Sequence, residues 1–426
     1  MSRSTEKSYG LVVSHYLLSA VFFLAMAVML LFSVRDLQGH YFHPKLLAIT
    51  HMAALGWGTL IIFGAAYQLI PVVFETELST YRLPWVSLIL FISGLPLLVF
   101  SFWNFNPGSL MQTGGVLLLL SVILFCITVF RTAKDNPKKA GIQQKFIITS
   151  CVWLILTVLL GVLLVFNFRH PFLSKDHLHF LRLHAHMGIG GWFLLLIIGV
   201  SSRLIPMFIV SRVQNTKPLS RSYYLINLSL VLFVIDTYFF GINHKTCLIF
   251  LIMLAGIILF FIYVVSCFRS RIKKQIELPL SNTILSFVLM ASAVALLPLI
   301  IHRHLKGDPS SVHFTTLYGS LLFMGWISAL VLGQAFKTFP FIVWTRKYEQ
   351  LAGKQKTPLP ADLYKKNLLK CQTAAFILFC ISFFTGFAVK SETLLFAGSG
   401  FLIITAAVYI INLIIVFFHR SQTITT

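Results

Sequence analysis

Charge is what this chain has least of: Asp, Glu, Lys and Arg make up 11% of its 426 residues, and only 12 residues are acidic. Soluble domains carry about 25% charged residues. With 58% hydrophobic residues and no long polar block, this scarcity excludes an ordinary soluble domain and indicates a polytopic membrane protein. A C-x-x-C pair is also missing. The six cysteines, Cys126, Cys151, Cys247, Cys267, Cys371 and Cys380, lie in or at the ends of apolar runs, as packing or lipid-facing residues, and no C-x-x-C-H haem-attachment motif is present. The first apolar run, 10–33, is too long for a signal-peptide core and lacks a small-residue cleavage site, so it reads as a retained span. No Glu lies deep within an apolar run. Glu75 and Glu77 fall in the loop after the second, which argues against proton pumping.

What is present is twelve apolar runs of membrane-spanning length, at about 10–33, 44–74, 84–104, 108–131, 144–167, 180–211, 220–241, 246–268, 278–301, 313–345, 367–389 and 392–418. The expected fold is all-α, a single transmembrane domain over residues 1–426. The formal charge of +22 is spread over short loops, which is a topology signal and not a nucleic-acid footprint. Nine basic residues (Arg35, Lys45, Arg169, Lys175, Arg182, Lys245, Arg303, Lys306, Lys390) lie on the odd-loop side and 25 on the other, Arg82, Arg131, Lys134, Lys138, Lys139, Arg269 and Lys347 among them. Both termini are therefore expected in the cytoplasm. Histidines follow the opposite rule, with twelve of the fourteen, all but His15 and His419, toward the outer face.

Three runs share one pattern, G-W-x6-G-x6-P. It reads Gly56-Trp57, Gly64, Pro71 in span two; Gly191-Trp192, Gly199, Pro206 in span six; and Gly325-Trp326, Gly333, Pro340 in span ten. Gln68, Arg203 and Lys337 recur three positions before the prolines. The motifs begin 135 and 134 residues apart, so each repeat (roughly 10–140, 144–275 and 278–420) holds four spans and enters the membrane in the same sense. Three such units are expected to form three four-helix arcs with pseudo-threefold symmetry. The glycines should allow close helix approach, and the prolines should end or kink helices at the inner surface.

His51 and His186 each stand six residues before the motif tryptophan. Symmetry places them at one depth on neighbouring repeats, where two imidazoles could take one haem iron from both sides. His184 is two residues from His186, a turn of about 200°, so it should face a different neighbour and begin a second site. Asp236 and His313 are the candidates to complete that site, with His184 facing span ten. Arg182 and Arg303 have the right sign for haem propionates. Helix–helix hydrogen bonding is the plainer role for the histidines, and snorkelling the plainer one for the arginines.

Twelve spans, three arcs and outer-face histidines together resemble subunit I of the haem-copper oxidase superfamily. His51 followed by Gly64-Ala-Ala-Tyr67-Gln-Leu-Ile-Pro71 looks like the second span of the nitric oxide reductase large subunit, where a histidine ligates the low-spin haem. His184-Ala-His186, with the glycine-rich run to Pro206, resembles that family's tenth-span His-x-His. The resemblance implies a b-type haem with two axial histidines, and a second haem, copper or iron at a second site. It implies an oxidoreductase-type role in electron transfer or in binding or reducing O2 or NO, with electrons from quinol or a donor protein and with partner subunits. Two departures stand out: the His-x-His lies on span six with Ser320 at the equivalent tenth-span position, and span seven offers Asp236 in place of paired histidines. Either the cofactor set is rotated by one repeat, or the second site has decayed. Two rival readings are a copper- or zinc-handling protein using His177, His179 and His184, and a transporter using Arg203 and Lys337.

Overall fold

The computed structural model describes residues 3–135, 141–275 and 277–420; Lys138 and Lys139, counted above among the basic loop residues, lie outside them. Among the described residues, twelve helices are long and apolar enough to cross a membrane: Ser8–Phe32, Pro44–Phe74, Arg82–Trp103, Ser109–Lys134, Ile142–Asn167, His177–Ile209, Lys217–Phe240, His244–Arg269, Leu278–Leu305, Ser310–Leu351, Lys366–Ala388 and Glu392–Phe417. These are spans one to twelve. No strand forms among the described residues, only isolated bridges such as Ser211 with Arg271. The expected all-α, twelve-span architecture is the one observed.

Spans two, six and ten stand apart from the rest. Of their most apolar stretches 72%, 72% and 78% is buried within the protein, against 28–50% for the other nine. A helix apolar all round and enclosed by protein belongs to a core, whereas the others keep one side for lipid. The same three helices share a change of winding. Met52–Thr59, Met187–Leu194 and Leu321–Ile327 are wound as π-helix between α-helical ends. Runs of this kind are uncommon and recur at functional sites. Each holds its Gly-Trp pair, and Trp57, Trp192 and Trp326 are all fully buried.

The later glycine of each motif meets the span that precedes it. A Cβ at Gly64 would lie 2.5 Å from His15 Cβ on span one, one at Gly199 2.8 Å from Phe146 Cβ on span five, and one at Gly333 2.5 Å from Pro279 O on span nine. Only a residue without Cβ permits such crossings, which is the small-residue mode of membrane helix packing. The prolines behave less uniformly. Pro71 and Pro206 sit near the ends of helices that stop at Phe74 and Ile209, but the helix carrying Pro340 continues to Tyr348.

The chain divides into two compact units. The first holds spans one, ten, eleven and twelve, span two as far as Gln68, and 277–300 of span nine. Its interior is aromatic: Phe23 stacks on Trp57 at 4.2 Å, Tyr409 meets Trp57 edge-on at 5.4 Å, and Trp57 Nε1 donates to Ser328 Oγ at 3.1 Å. The second holds spans three to eight, the end of span two from Leu69, and 301–308. There Trp192 packs edge-on against Phe125 at 6.0 Å, and Trp153 Nε1 donates to Asn227 Oδ1 at 3.1 Å.

Candidate functional site

In the first unit, His51 ends the α-helix Pro44–His51, directly before the first π segment. Its Nδ1 lies 2.7 Å from Leu47 O one turn back. A carbonyl oxygen only accepts, so Nδ1 carries the proton and the lone pair resides on Nε2. In the second unit His186 repeats the arrangement. It ends the helix His177–His186, immediately precedes the second π segment, and its Nδ1 lies 2.9 Å from Arg182 O. Donation of Nδ1–H to a carbonyl is how metal-ligating histidines are oriented and made more basic. Both rings are half-buried, and each is held in one orientation beside a widened helix.

His184 faces a different neighbour from His186, as the two-residue spacing requires. Its Nδ1 lies 2.9 Å from Thr157 O of span five, and its ring occupies the room left by Gly161, where a Cβ would come within 2.9 Å of Cε1. His186 lies against Phe233 of span seven, ring centroids 4.9 Å apart. The sequence expectation directs His184 toward span ten, whereas the carbonyl of Thr157 draws it to span five.

The remaining candidates have local partners. Asp236 Oδ2 accepts from Asn243 Nδ2 at 2.8 Å, next to the cap of span eight. His313 stacks on Phe387 at 4.7 Å in the first unit. Arg303 pairs with Asp308 at 2.8 Å. Arg182 supplies the carbonyl that holds His186, and its charge reaches His304. His177 stacks on Phe168 at 4.3 Å, and the backbone N–H of His179 donates to the N-cap carboxylate of Asp176 at 2.8 Å. Among the described residues, no three His, Cys, Asp or Glu side chains converge as a metal-binding group. Of the polar residues before the motif prolines, Arg203 pairs with Glu75 at 3.8 Å, and Lys337 with Glu277.

Two features carry no sequence signal. One is the π winding, which depends on tertiary packing. The other is His15, which is fully buried and shares the geometry of His51, with Nδ1 2.8 Å from Leu11 O.

No protein-family model matches the chain, and no curated protein sequence matches it. Twenty-three chains of solved structures do match. One belongs to a heme-copper terminal oxidase dimer determined by cryo-electron microscopy. The TM-score is 0.64 at 12% sequence identity, over 99% of this chain and 85% of that one. The likeness shows the fold: this is a twelve-span, all-helical chain folded as a heme-copper terminal oxidase chain is folded.

Proposed function

We propose that the chain is an integral membrane haem protein of the subunit I type, with His51 and His186 as axial ligands of one haem. The observation that carries this reading is their shared geometry. Each imidazole donates Nδ1–H to the carbonyl four residues earlier, presents its lone pair at Nε2, and directly precedes a π segment. His15 shares the hydrogen bond to the carbonyl four residues earlier, but only His51 and His186 combine it with a following π segment at the same register of the repeat. The repeat register and the oxidase fold support the same assignment, and with it we read the chain as a single domain of three four-span repeats with pseudo-threefold symmetry. A haem so ligated would supply one-electron chemistry, its potential set by the two histidines and their surroundings.

The chain's own residues then have defined tasks. Leu47 O and Arg182 O fix the tautomers. The Arg182 guanidinium, and Arg303 once exchanged from Asp308, are suited to propionates. His184 is the start of a second site for O2 or NO, or for a second haem, copper or iron, with Thr157 O holding its ring. Electrons would come from quinol or a donor protein; the charge bias of the loops supports cytoplasmic termini, which would put the haem toward the outer face. The rival copper- or zinc-handling reading is less favoured, because among the described residues no three His, Cys, Asp or Glu side chains converge as a metal-binding group.

The test is haem retention. Purified His51→Ala/His186→Ala protein is expected to lose its haem while keeping its helical circular dichroism; unchanged haem content in that double variant would overturn the assignment.

A further inference from the structure

Span six of the second unit ends in a strained turn. Ile209 is its last helical residue, and Val210 beyond it is left-handed, with φ +51°. Such backbone is an outlier for a β-branched residue and persists only where its surroundings fix it. Here the end of span eight fixes it. Arg212 N donates to Ser270 O at 3.3 Å, Ile272 N to Val210 O at 3.1 Å and Lys273 N to Ile209 O at 3.2 Å. Ser211 forms an antiparallel bridge with Arg271, and the hydroxyls of Ser211 and Ser270 lie 2.7 Å apart. The loops leaving spans six and eight are thereby stitched into one surface at the ends of two membrane helices.

That surface carries uncompensated positive charge. Residues 207–217 and 266–275 contain no Asp or Glu, but hold Arg212, Lys217, Arg269, Arg271, Lys273 and Lys274. Glu75 pairs with Arg203, and Glu277, the next acid along the chain, with Lys337. Among the described residues no carboxylate pairs with Arg212, Arg269, Arg271 or Lys274. Arg271 Nη1 donates to Phe268 O at 2.9 Å, while its Nε is buried with no hydrogen-bond partner in the protein. A buried donor in that state calls for a ligand or a water. The turn itself does not require the cations. One repeat earlier, Glu75 follows Pro71 as Val210 follows Pro206, its φ of +53° is also left-handed, and Thr76 N donates to Pro71 O as Ser211 N does to Pro206 O. At the register of Val210 and Arg212 that repeat has Glu75 and Glu77, so one turn carries opposite charge in two repeats.

Apolar side chains stand beside the cations: Met207, Val210 and Ile272 are exposed by 51%, 51% and 54%. Apolar surface next to arginines, at the ends of two membrane spans, matches a ligand with acyl chains and an anionic head. We propose that the stitch binds the phosphate of an anionic phospholipid headgroup through the arginines at the bridge, Arg212 from one loop and Arg271 from the other. A guanidinium fork fits phosphate bidentately, and Lys and Arg clustered immediately beyond a span attract acidic lipids. A zwitterionic headgroup has the same phosphate with its charge cancelled, so the site discriminates by net charge. The inference does not rest on the haem assignment.

It is tested by native mass spectrometry of the purified full-length protein in neutral detergent, with phosphatidylglycerol, phosphatidylcholine and inorganic phosphate as probes. Phosphatidylglycerol is expected to bind at least tenfold more tightly than phosphatidylcholine. Arg212→Gln/Arg271→Gln should weaken it at least fivefold, whereas Arg82→Gln/Arg131→Gln, which removes two exposed cations from the ends of other spans, should leave it unchanged. Equal affinity for the two lipids would overturn the proposal, and so would equal weakening by the two double variants. Inorganic phosphate binding that is lost in Arg212→Gln/Arg271→Gln, with no preference for phosphatidylglycerol, would assign the site to a free anion and overturn the lipid. A second measurement needs no variant: phosphatidylglycerol should slow backbone deuterium exchange across 207–217 and 266–275, and unchanged exchange in both segments would contradict the proposal. Neither experiment reads haem content, which is followed separately in the optical spectrum.

Discussion

Spans six and ten carry the same motif and the same π winding, yet differ in the side chains they carry. Span six begins with His177, His179, Arg182, His184 and His186, and apart from Ser201, Ser202 and Arg203 its second half is apolar. Span ten begins with a single histidine, His313, has Ser320 where span six has His186, and carries Gln334, Lys337 and Thr338 in its second half. The difference teaches that the repeat fixes a scaffold and not a chemistry. Gly-Trp, the π segment, the close-approach glycine and the proline set where each helix lies, and the positions between them are free to specialise. Continuation of span ten past Pro340 to Tyr348 agrees with this, since a proline in the last turn ends a helix easily, whereas one further in needs surrounding packing to compensate the lost hydrogen bond.

The largest expected effect comes from exchanging chemistry at one register. Single variants His51→Ala and His186→Ala are each expected to lower haem per protein at least tenfold, while Ser320→Ala, at the same register of the third repeat, leaves it within error. Pyridine haemochrome analysis of the purified proteins measures this. Equal losses at all three positions would mean that the register is purely structural.

The scaffold is tested next. Gly64→Ala and Gly333→Ala place a Cβ 2.5 Å from a neighbour and should destabilise by roughly 1–3 kcal/mol, the usual range for overpacking. Gly319→Ala, with no heavy atom within 4 Å, should be neutral or stabilise by up to about 1 kcal/mol through helix propensity. Thermal unfolding in one detergent separates the two classes.

A smaller contrast lies between the motif tryptophans. Trp57 Nε1 donates to Ser328 Oγ at 3.1 Å, whereas Trp326 Nε1 is buried with no hydrogen-bond partner in the protein. Both tryptophan-to-phenylalanine changes lose similar apolar area, but only Trp57→Phe loses a hydrogen bond. It should therefore be less stable than Trp326→Phe by about 1 kcal/mol.

The smallest effect is a pH dependence at the basic side. Burial, then the charges of Lys347 and Lys365, push the pKa of His419 below the ordinary histidine value of 6.5, and its Nδ1 lies 2.7 Å from Tyr348 Oη. With the folded pKa lowered, folding favours the neutral ring. The contribution is complete above the unfolded pKa and is lost as pH falls through the folded one. Melting temperature should fall slightly below pH 6.5, and His419→Gln should remove that part of the dependence.

Much of the fold was legible because membrane burial leaves few choices: apolar runs, basic loops and the spaced Gly, Trp and Pro residues fixed twelve helices and singled out spans two, six and ten. Their π segments were not legible, because winding is decided by what packs around Gly56-Trp57 and its counterparts. At the candidate site, sequence register pointed to His51 and His186, which share one hydrogen-bond geometry, and to the different facing of His184, since a periodic helix dictates which residues share a side. It misdirected His184, because the carbonyl that holds it, Thr157 O, belongs to another helix and has no signature in sequence. It also missed His15, whose ring repeats the hydrogen bond of His51 to the carbonyl four residues earlier.

The central claim is that a haem is held by two histidines, and it is tested most directly by an optical spectrum of the detergent-purified protein, oxidised and then reduced with dithionite, with haem quantified on the same sample. The account predicts about one haem or more per chain, with the sharp reduced bands of bis-histidine ligation. Protein purified from haem-replete cells with no haem at all would contradict it.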